Sequence, residues 1–175
     1  MTGREFNRCI RRIREGDPAG LRAIYDAYDA YIFMIMKSIV GSRETAEDLT
    51  ADFFIRLWSL AADYKARETH KGWMAVIARN MALDRLKKEG RELPCEAPEA
   101  EISLQGAAPS AEDEALSDMA FGEMISGLPA AEQEILALKF EGGLTFKEIA
   151  AVTGLPMGTV TWKYQRSIEK LRRAM

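Results

Sequence analysis

The sequence predicts an all-α protein: two small helical domains joined by a flexible acidic linker, the second domain a helix-turn-helix. Three observations carry this. Apolar residues recur at three- and four-residue intervals from Phe6 to Leu60 and again from Phe121 to Leu171. Residues 92–118 break the pattern with Pro94, Pro98 and Pro109, eight carboxylates and no Lys or Arg, a composition too polar to order itself around a core. Thr145 to Arg173 reads as two helices around a glycine turn. The expected domains are 1–91 and 118–175, with 92–117 as tether.

The helices follow in order. Phe6, Ile10 and Ile13 line the first. Asp17-Pro18 is an N-cap followed by proline at the first helical position, where its missing N–H costs nothing. The helix it opens presents Leu21, Ile24, Tyr25, Tyr28, Ile32, Ile35, Met36 and Ile39, then stops at Gly41. A third starts after Ser42 and aligns Ala46, Leu49, Phe53, Leu57 and Leu60, with Glu47, Asp48, Asp52 and Arg56 on the polar side. Tyr64 to Lys71 is a polar loop, and a fourth helix runs from about Gly72 to Gly90. Beyond the linker, Phe121, Met124, Ile125 and Leu128 mark a short helix, and Pro129 opens another with Ile135, Leu136, Leu138 and Phe140, ended by Gly142-Gly143.

In the closing motif Thr145 and Glu148 form a capping box, and Ile149, Ala150 and Val152 supply a buried side. Gly154 sits where positive φ is needed. The last helix starts near Pro156 and is expected to bury Val160, Tyr164, Ile168 and Leu171. That leaves Thr159, Thr161, Trp162, Lys163, Gln165, Arg166, Lys170, Arg172 and Arg173 outward. Such a helix reaches base edges with its N-terminal turns; an ordinary helical hairpin with a solvated face is the plainer alternative.

The net charge of −3 hides a division. Residues 71–91 carry six basic and two acidic side chains, whereas 92–118 carry only acidic ones. On the 71–91 helix Trp73, Asn80, Asp84, Lys87 and Arg91 share an arc of roughly 60°. Arg79, Arg85 and Lys88 spread positive charge around that arc. Aromatic and cationic residues beside a polar loop suit unstacked nucleic acid, whose bases need a platform and whose phosphates need cations. Trp73 fits the core as well as a platform, Asn80 fits a base contact or a buried amide, and Asp84 fits an internal ion pair.

Other classes find no footing. Cys9 and Cys95 stand far apart and His70 is the sole histidine, so neither a disulfide framework nor a metal site is expected, and no cofactor motif occurs. No apolar run approaches the roughly 20 residues that span a bilayer. The N-terminal residues lack a signal-peptide core. A reduced, cytoplasmic protein without catalytic residues is expected.

Three blocks together resemble the extracytoplasmic-function (ECF) group of bacterial RNA polymerase sigma factors. Ala46 to Trp58 resembles the family's polymerase-binding helix, Lys71 to Arg91 its −10 element helix, and Leu128 to Arg173 its −35 domain. The resemblance implies that Glu47, Asp48, Asp52 and Arg56 dock on core RNA polymerase. It implies that Tyr64, Lys65, Arg67, Arg79, Asn80, Lys87, Lys88 and Arg91 serve the −10 element, where a flipped base is captured. Thr159, Thr161, Trp162, Lys163, Arg166 and Lys170 would read the −35 element. The linker would run through polymerase channels as a polyanion mimic, and an antagonist anti-sigma factor is an implied partner beside promoter DNA. The chain departs from the family's usual Gln-Glu at Ala51-Asp52, and from its Lys-Ser-Arg at Thr161-Trp162-Lys163. A free-standing helix-turn-helix regulator with an N-terminal sensor or dimerisation module is one rival reading, and an interaction protein such as a decoy is the other.

Overall fold

A computed structural model describes residues 1–66, 69–90 and 118–174, the side chains of 118–120 and 174 excepted. Among these residues lie eight helices and no strand. The chain divides into two compact units, Met1–Leu93 and Pro94–Met175. Expectations about residues 91–117, the acidic linker and Arg91 included, and about Arg67 lie outside the described residues.

In the N-terminal unit, α1 (Gly3–Arg14) opens with a capping box: Thr2 Oγ1 accepts from the Glu5 amide at 3.3 Å, and Glu5 Oε2 accepts from the Thr2 amide at 2.7 Å. These bonds hold the Glu5 carboxyl below its usual range, the Thr2 backbone bond first. Phe6, Cys9, Ile10 and Ile13 are buried, and each large side chain among them contributes about 1.5–3 kcal/mol. Helix α2 (Pro18–Val40) is capped by Asp17, whose carboxylate accepts from Ala19 at 2.9 Å and pairs with Arg12 at 2.7 Å. Both bonds lower its pKa, the backbone bond more. Gly20 is required here: a Cβ at that position would stand 2.5 Å from the Cys9 carbonyl oxygen, so α1 and α2 approach more closely than any side chain permits.

Helix α2 is the hub of this unit. From Tyr31 to Val40 it is buried on nearly every side, against α1, α3 (Arg43–Leu60) and α4 (His70–Lys88). A helix surrounded in this way reads as apolar all round rather than as one stripe. Ser42 caps α3, accepting from Thr45 at 3.3 Å. Helix α4, packed on α2 and α3, buries Gly72, Ala75, Ala78 and Ala82, small residues that allow close packing. It begins at His70, before the expected Gly72, behind Thr69, which makes no side-chain cap bond. Tyr25 is corrected from the core to the surface, where it lies against Phe54 (centroids 4.9 Å apart) with Arg22 over its ring.

The C-terminal unit holds α5 (Asp118–Ile125), α6 (Ala130–Phe140), α7 (Phe146–Thr153) and α8 (Met157–Ala174). Gln133 ties the α5–α6 turn, donating to the carbonyls of Ser126 (3.1 Å) and Leu128 (2.7 Å). The capping box at Thr145 and Glu148 is present as expected. Gly154 is left-handed, φ 75° and ψ 7°, and its amide bonds the Ala150 carbonyl at 2.9 Å. This closes the end of α7 and turns the chain into α8.

Candidate nucleic-acid and polymerase interfaces

Three surfaces emerge, one on α3, one around the entry to α4 and one on α8. On α3 the buried positions Ala46, Leu49, Thr50, Phe53, Phe54 and Leu57 turn the opposite side to solvent. Glu47, Asp48, Asp52 and Arg56 are all exposed there. Glu47 pairs with Arg43 at 2.8 Å, an exposed pair of little energetic weight. At about 100° per residue, Asp48, Asp52 and Ile55 fall within a narrow stripe. Ile55 is 72% exposed, which the sequence reading missed. Its signal was an apolar residue out of phase with Phe53 and Leu57. Arg85 of α4 feels this acidic stripe: its bond to Glu89 at 2.5 Å raises its pKa first, and Asp48 and Asp52 add to the rise.

The entry to α4 is built on an aromatic cluster. Phe6 stacks on His70 (4.6 Å, 26°) and meets Tyr64 (5.3 Å) and Trp73 (6.4 Å) edge-on. Tyr64 and Trp73 lie 4.8 Å apart. Tyr28 Oη is 2.6 Å from His70 Nε2 and 3.0 Å from the Met1 carbonyl, and Tyr31 Oη donates to the Lys71 carbonyl at 3.3 Å. Burial pushes the Tyr28 phenol up to about 12 and holds His70 below the ordinary imidazole range, with Lys71 and the N-terminus adding to the second effect. Arg14 then ties the far end of the loop: its Nε donates to the Ala61 carbonyl (2.8 Å), and its Nη2 to those of Ala62 (3.2 Å) and Tyr64 (2.7 Å). These carbonyls follow the last turn of α3, where no intrahelical donor remains.

Lys65 is exposed in the loop beside this cluster; along α4, Asn80, Asp84, Lys87 and Lys88 are exposed and Arg79 is half-buried. Asn80, Asp84 and Lys87 keep the shared face expected of them, with the half-buried Trp73 beneath its start. The open alternative for Asn80 therefore resolves toward an accessible amide. Tyr64 is corrected: only 7% exposed, its ring is part of the cluster rather than of the solvent-facing loop.

On α8 the buried face is Val160, Lys163, Tyr164 and Ser167. Ile168 and Leu171, expected in the core, are half-buried. The helix is rolled toward α6 and α7, its packing neighbours, so the axis of burial passes through Ser167. That hydroxyl is satisfied by the Lys163 carbonyl at 2.7 Å. Two expected surface cations are corrected by the same roll. Lys163 is 8% exposed, its stem packed in the face and its ammonium 5.9 Å from the Trp162 ring centre. Lys170 reaches back to α6 and donates to both carboxylate oxygens of buried Glu132, at 3.0 and 2.9 Å. Thr159 and Thr161 are half-buried, the latter bonding the Met157 carbonyl at 3.0 Å. Arg166 is exposed with its guanidinium 5.0 Å from the centre of the half-buried Trp162 ring. This cation–π contact holds a bidentate donor in place. Burial raises the Tyr164 phenol above its usual range.

A capped helix, a left-handed glycine turn and a second helix presenting threonines, tryptophan and arginine define a helix-turn-helix protein of the transcription-factor class. Family comparison is more specific. Residues 24–92 match the model of sigma-70 region 2 and residues 118–171 that of sigma-70 region 4. The ECF RNA polymerase sigma factor SigW of Bacillus subtilis is 25% identical over 178 residues, covering 95% of this chain and 94% of its own. The ECF sigma factor RpoE of Cereibacter sphaeroides is 29% identical over 175 residues, covering 95% and 92%. Among solved structures, the sigma factor RpoE of Bartonella quintana, in complex with the anti-sigma factor NepR, superposes with a TM-score of 0.61 at 21% identity, covering 87% of this chain and 94% of that one. CnrH in complex with the cytosolic domain of CnrY gives 0.61 at 15% identity, covering 97% and 96%; both likenesses show the shared all-α fold. The chain belongs to the sigma-70 family of RNA polymerase sigma factors, in its extracytoplasmic-function group.

Proposed function

We propose that this protein binds core RNA polymerase and directs it to specific promoters, the N-terminal unit docking and reading the −10 element, the C-terminal unit reading the −35 element. The observation that carries this is the pairing, in one chain, of a region 2 unit bearing an acidic-apolar stripe with a region 4 helix-turn-helix. The stripe Asp48, Asp52 and Ile55, flanked by Glu47 and Arg56, docks on the polymerase, carboxylates meeting cations and Ile55 burying itself. Lys65, Arg79, Asn80, Lys87 and Lys88, with Arg67 and Arg91, serve the −10 element. There a pocket returns the few kcal/mol that unstacking a base requires. On α8, Thr159, Thr161, Trp162 and Arg166 face the −35 duplex, while Lys163 and Lys170 hold the helix in place.

The polymerase performs the chemistry, so the protein itself is not an enzyme. It acts in the cytoplasm and is restrained by an anti-sigma factor, as the complexes of its structural relatives favour. Among the described residues no helix is long and apolar enough to cross a membrane. A free-standing regulator would not need both sigma regions in this order. Run-off transcription with core polymerase, on a promoter selected from a random library, tests the reading. Transcripts should start at one position and require this chain; their absence, with no polymerase association, refutes it.

A further inference from the structure

We infer that Arg14 is a positioning residue for promoter opening, bracing the loop that captures the −10 base from outside that loop. This rests on the proposed −10 role of the α3–α4 loop and Asn80. The loop leaves α3 at Ala61 and enters α4 at His70. Both stems are held by α1, a helix 47 to 50 residues away in sequence from the carbonyls Arg14 reaches. Phe6 holds the entry to α4 by stacking on His70, and Arg14 holds the exit from α3 through the Ala61, Ala62 and Tyr64 carbonyls. A planar guanidinium offers several donors in a fixed fork, so a single side chain sets the mutual placement of three carbonyls within four residues. Its charge also suits the negative end of α3.

The arrangement separates two tasks. The docking stripe of α3, Asp48 to Ile55, lies about two to four turns before the first carbonyl that Arg14 holds, that of Ala61. The Tyr64 carbonyl lies within the loop itself, one residue before the exposed Lys65. Losing Arg14 therefore leaves the docking face intact and frees the stem of the base-capture loop. Misplacing a capture site by about an ångström costs on the order of 100-fold in the step it serves.

The test compares parent, Arg14→Ala and Arg14→Lys full-length chains with core polymerase on a promoter selected by the parent. Permanganate footprinting reads opening, co-purification reads polymerase association, and thermal unfolding is followed in parallel. Arg14→Ala should keep association and lower opening by about 10- to 100-fold. Arg14→Lys, with one ammonium for three carbonyls, should fall between. Should the alanine variant fail to fold, the lysine variant must still show impaired opening with intact association. Opening by both variants within about twofold of the parent overturns the inference. A parallel loss of association and opening in both variants also overturns it, because Arg14 is then general scaffolding. A parent that opens no promoter is distinguishable from either result and removes the underlying −10 reading together with this one.

Discussion

Lys170 separates a reading role from a structural one. Its ammonium makes two charged hydrogen bonds to Glu132, a carboxylate 2% exposed, while its own side chain is 36% exposed. Breaking a fully buried pair costs about 3–5 kcal/mol, because the remaining charge is left without a partner. The outer end of this pair reaches water, so Lys170→Ala should cost less, about 2 kcal/mol. For a unit of this size that corresponds to a drop of about 8–16 °C in melting temperature. Hydrogen exchange measured over α6 and α8 reads the loss locally, free of the N-terminal unit. Replacing both partners, Glu132→Leu with Lys170→Met, should restore most of the stability, since no orphaned charge then remains. The reasoning is refuted if Lys170→Ala leaves exchange within about 0.5 kcal/mol of the parent while the salt slope of promoter binding falls by about one. That pattern would return Lys170 to the DNA.

The other surfaces make their own forecasts. Asp48→Lys with Asp52→Lys should abolish co-purification with core polymerase and leave helicity unchanged, since both side chains are exposed; retained co-purification would move the docking face elsewhere. Arg166→Ala should weaken −35-dependent promoter binding by about 1–3 kcal/mol in a gel-shift titration. Trp162→Ala should produce part of the same loss by releasing the stacked guanidinium, and its effect should nearly vanish in the Arg166→Ala background. His70 gives a pH dependence: its folded pKa lies below the unfolded value, so its contribution is complete above the unfolded value, about 6.5, and is lost as pH falls through the folded one. Chemical denaturation between about pH 7 and pH 5 should show this slope, and His70→Gln should flatten it.

How far the sequence carried depended on whether local chemistry or tertiary contact decided the outcome. Caps are local, so Asp17, Ser42 and the Thr145–Glu148 box stand where side-chain chemistry placed them. Thr69 makes no cap bond, and the start of α4 was correspondingly misplaced by two residues. The phase of α8 was the larger miss. Apolar periodicity selected Ile168 and Leu171, but neighbouring helices bury whatever faces them, and here that includes Ser167 and the stem of Lys163. Ion pairing across helices is likewise invisible to periodicity: nothing local in Lys170 points to Glu132. The same holds for Tyr64, whose place in a polar stretch concealed a ring held by Phe6 and Trp73. For Asp48, Asp52 and Arg166, by contrast, the exposure that the sequence implied is what the fold provides, and for Asn80, left open between an accessible and a buried amide, the fold chooses the first.

Packing around α2 has a consequence for synthesis on the ribosome. Its partners α1, α3 and α4 all lie within the first ninety or so residues, so every contact the hub needs is made before the C-terminal unit exists. Helical units with such local contacts fold in microseconds to milliseconds. Translating the roughly 80 residues that follow takes on the order of 4–16 s. The N-terminal unit thus completes while its chain is still growing, and its acidic stripe is displayed before α8 has been made. Any partner of that stripe meets a finished surface on an unfinished protein.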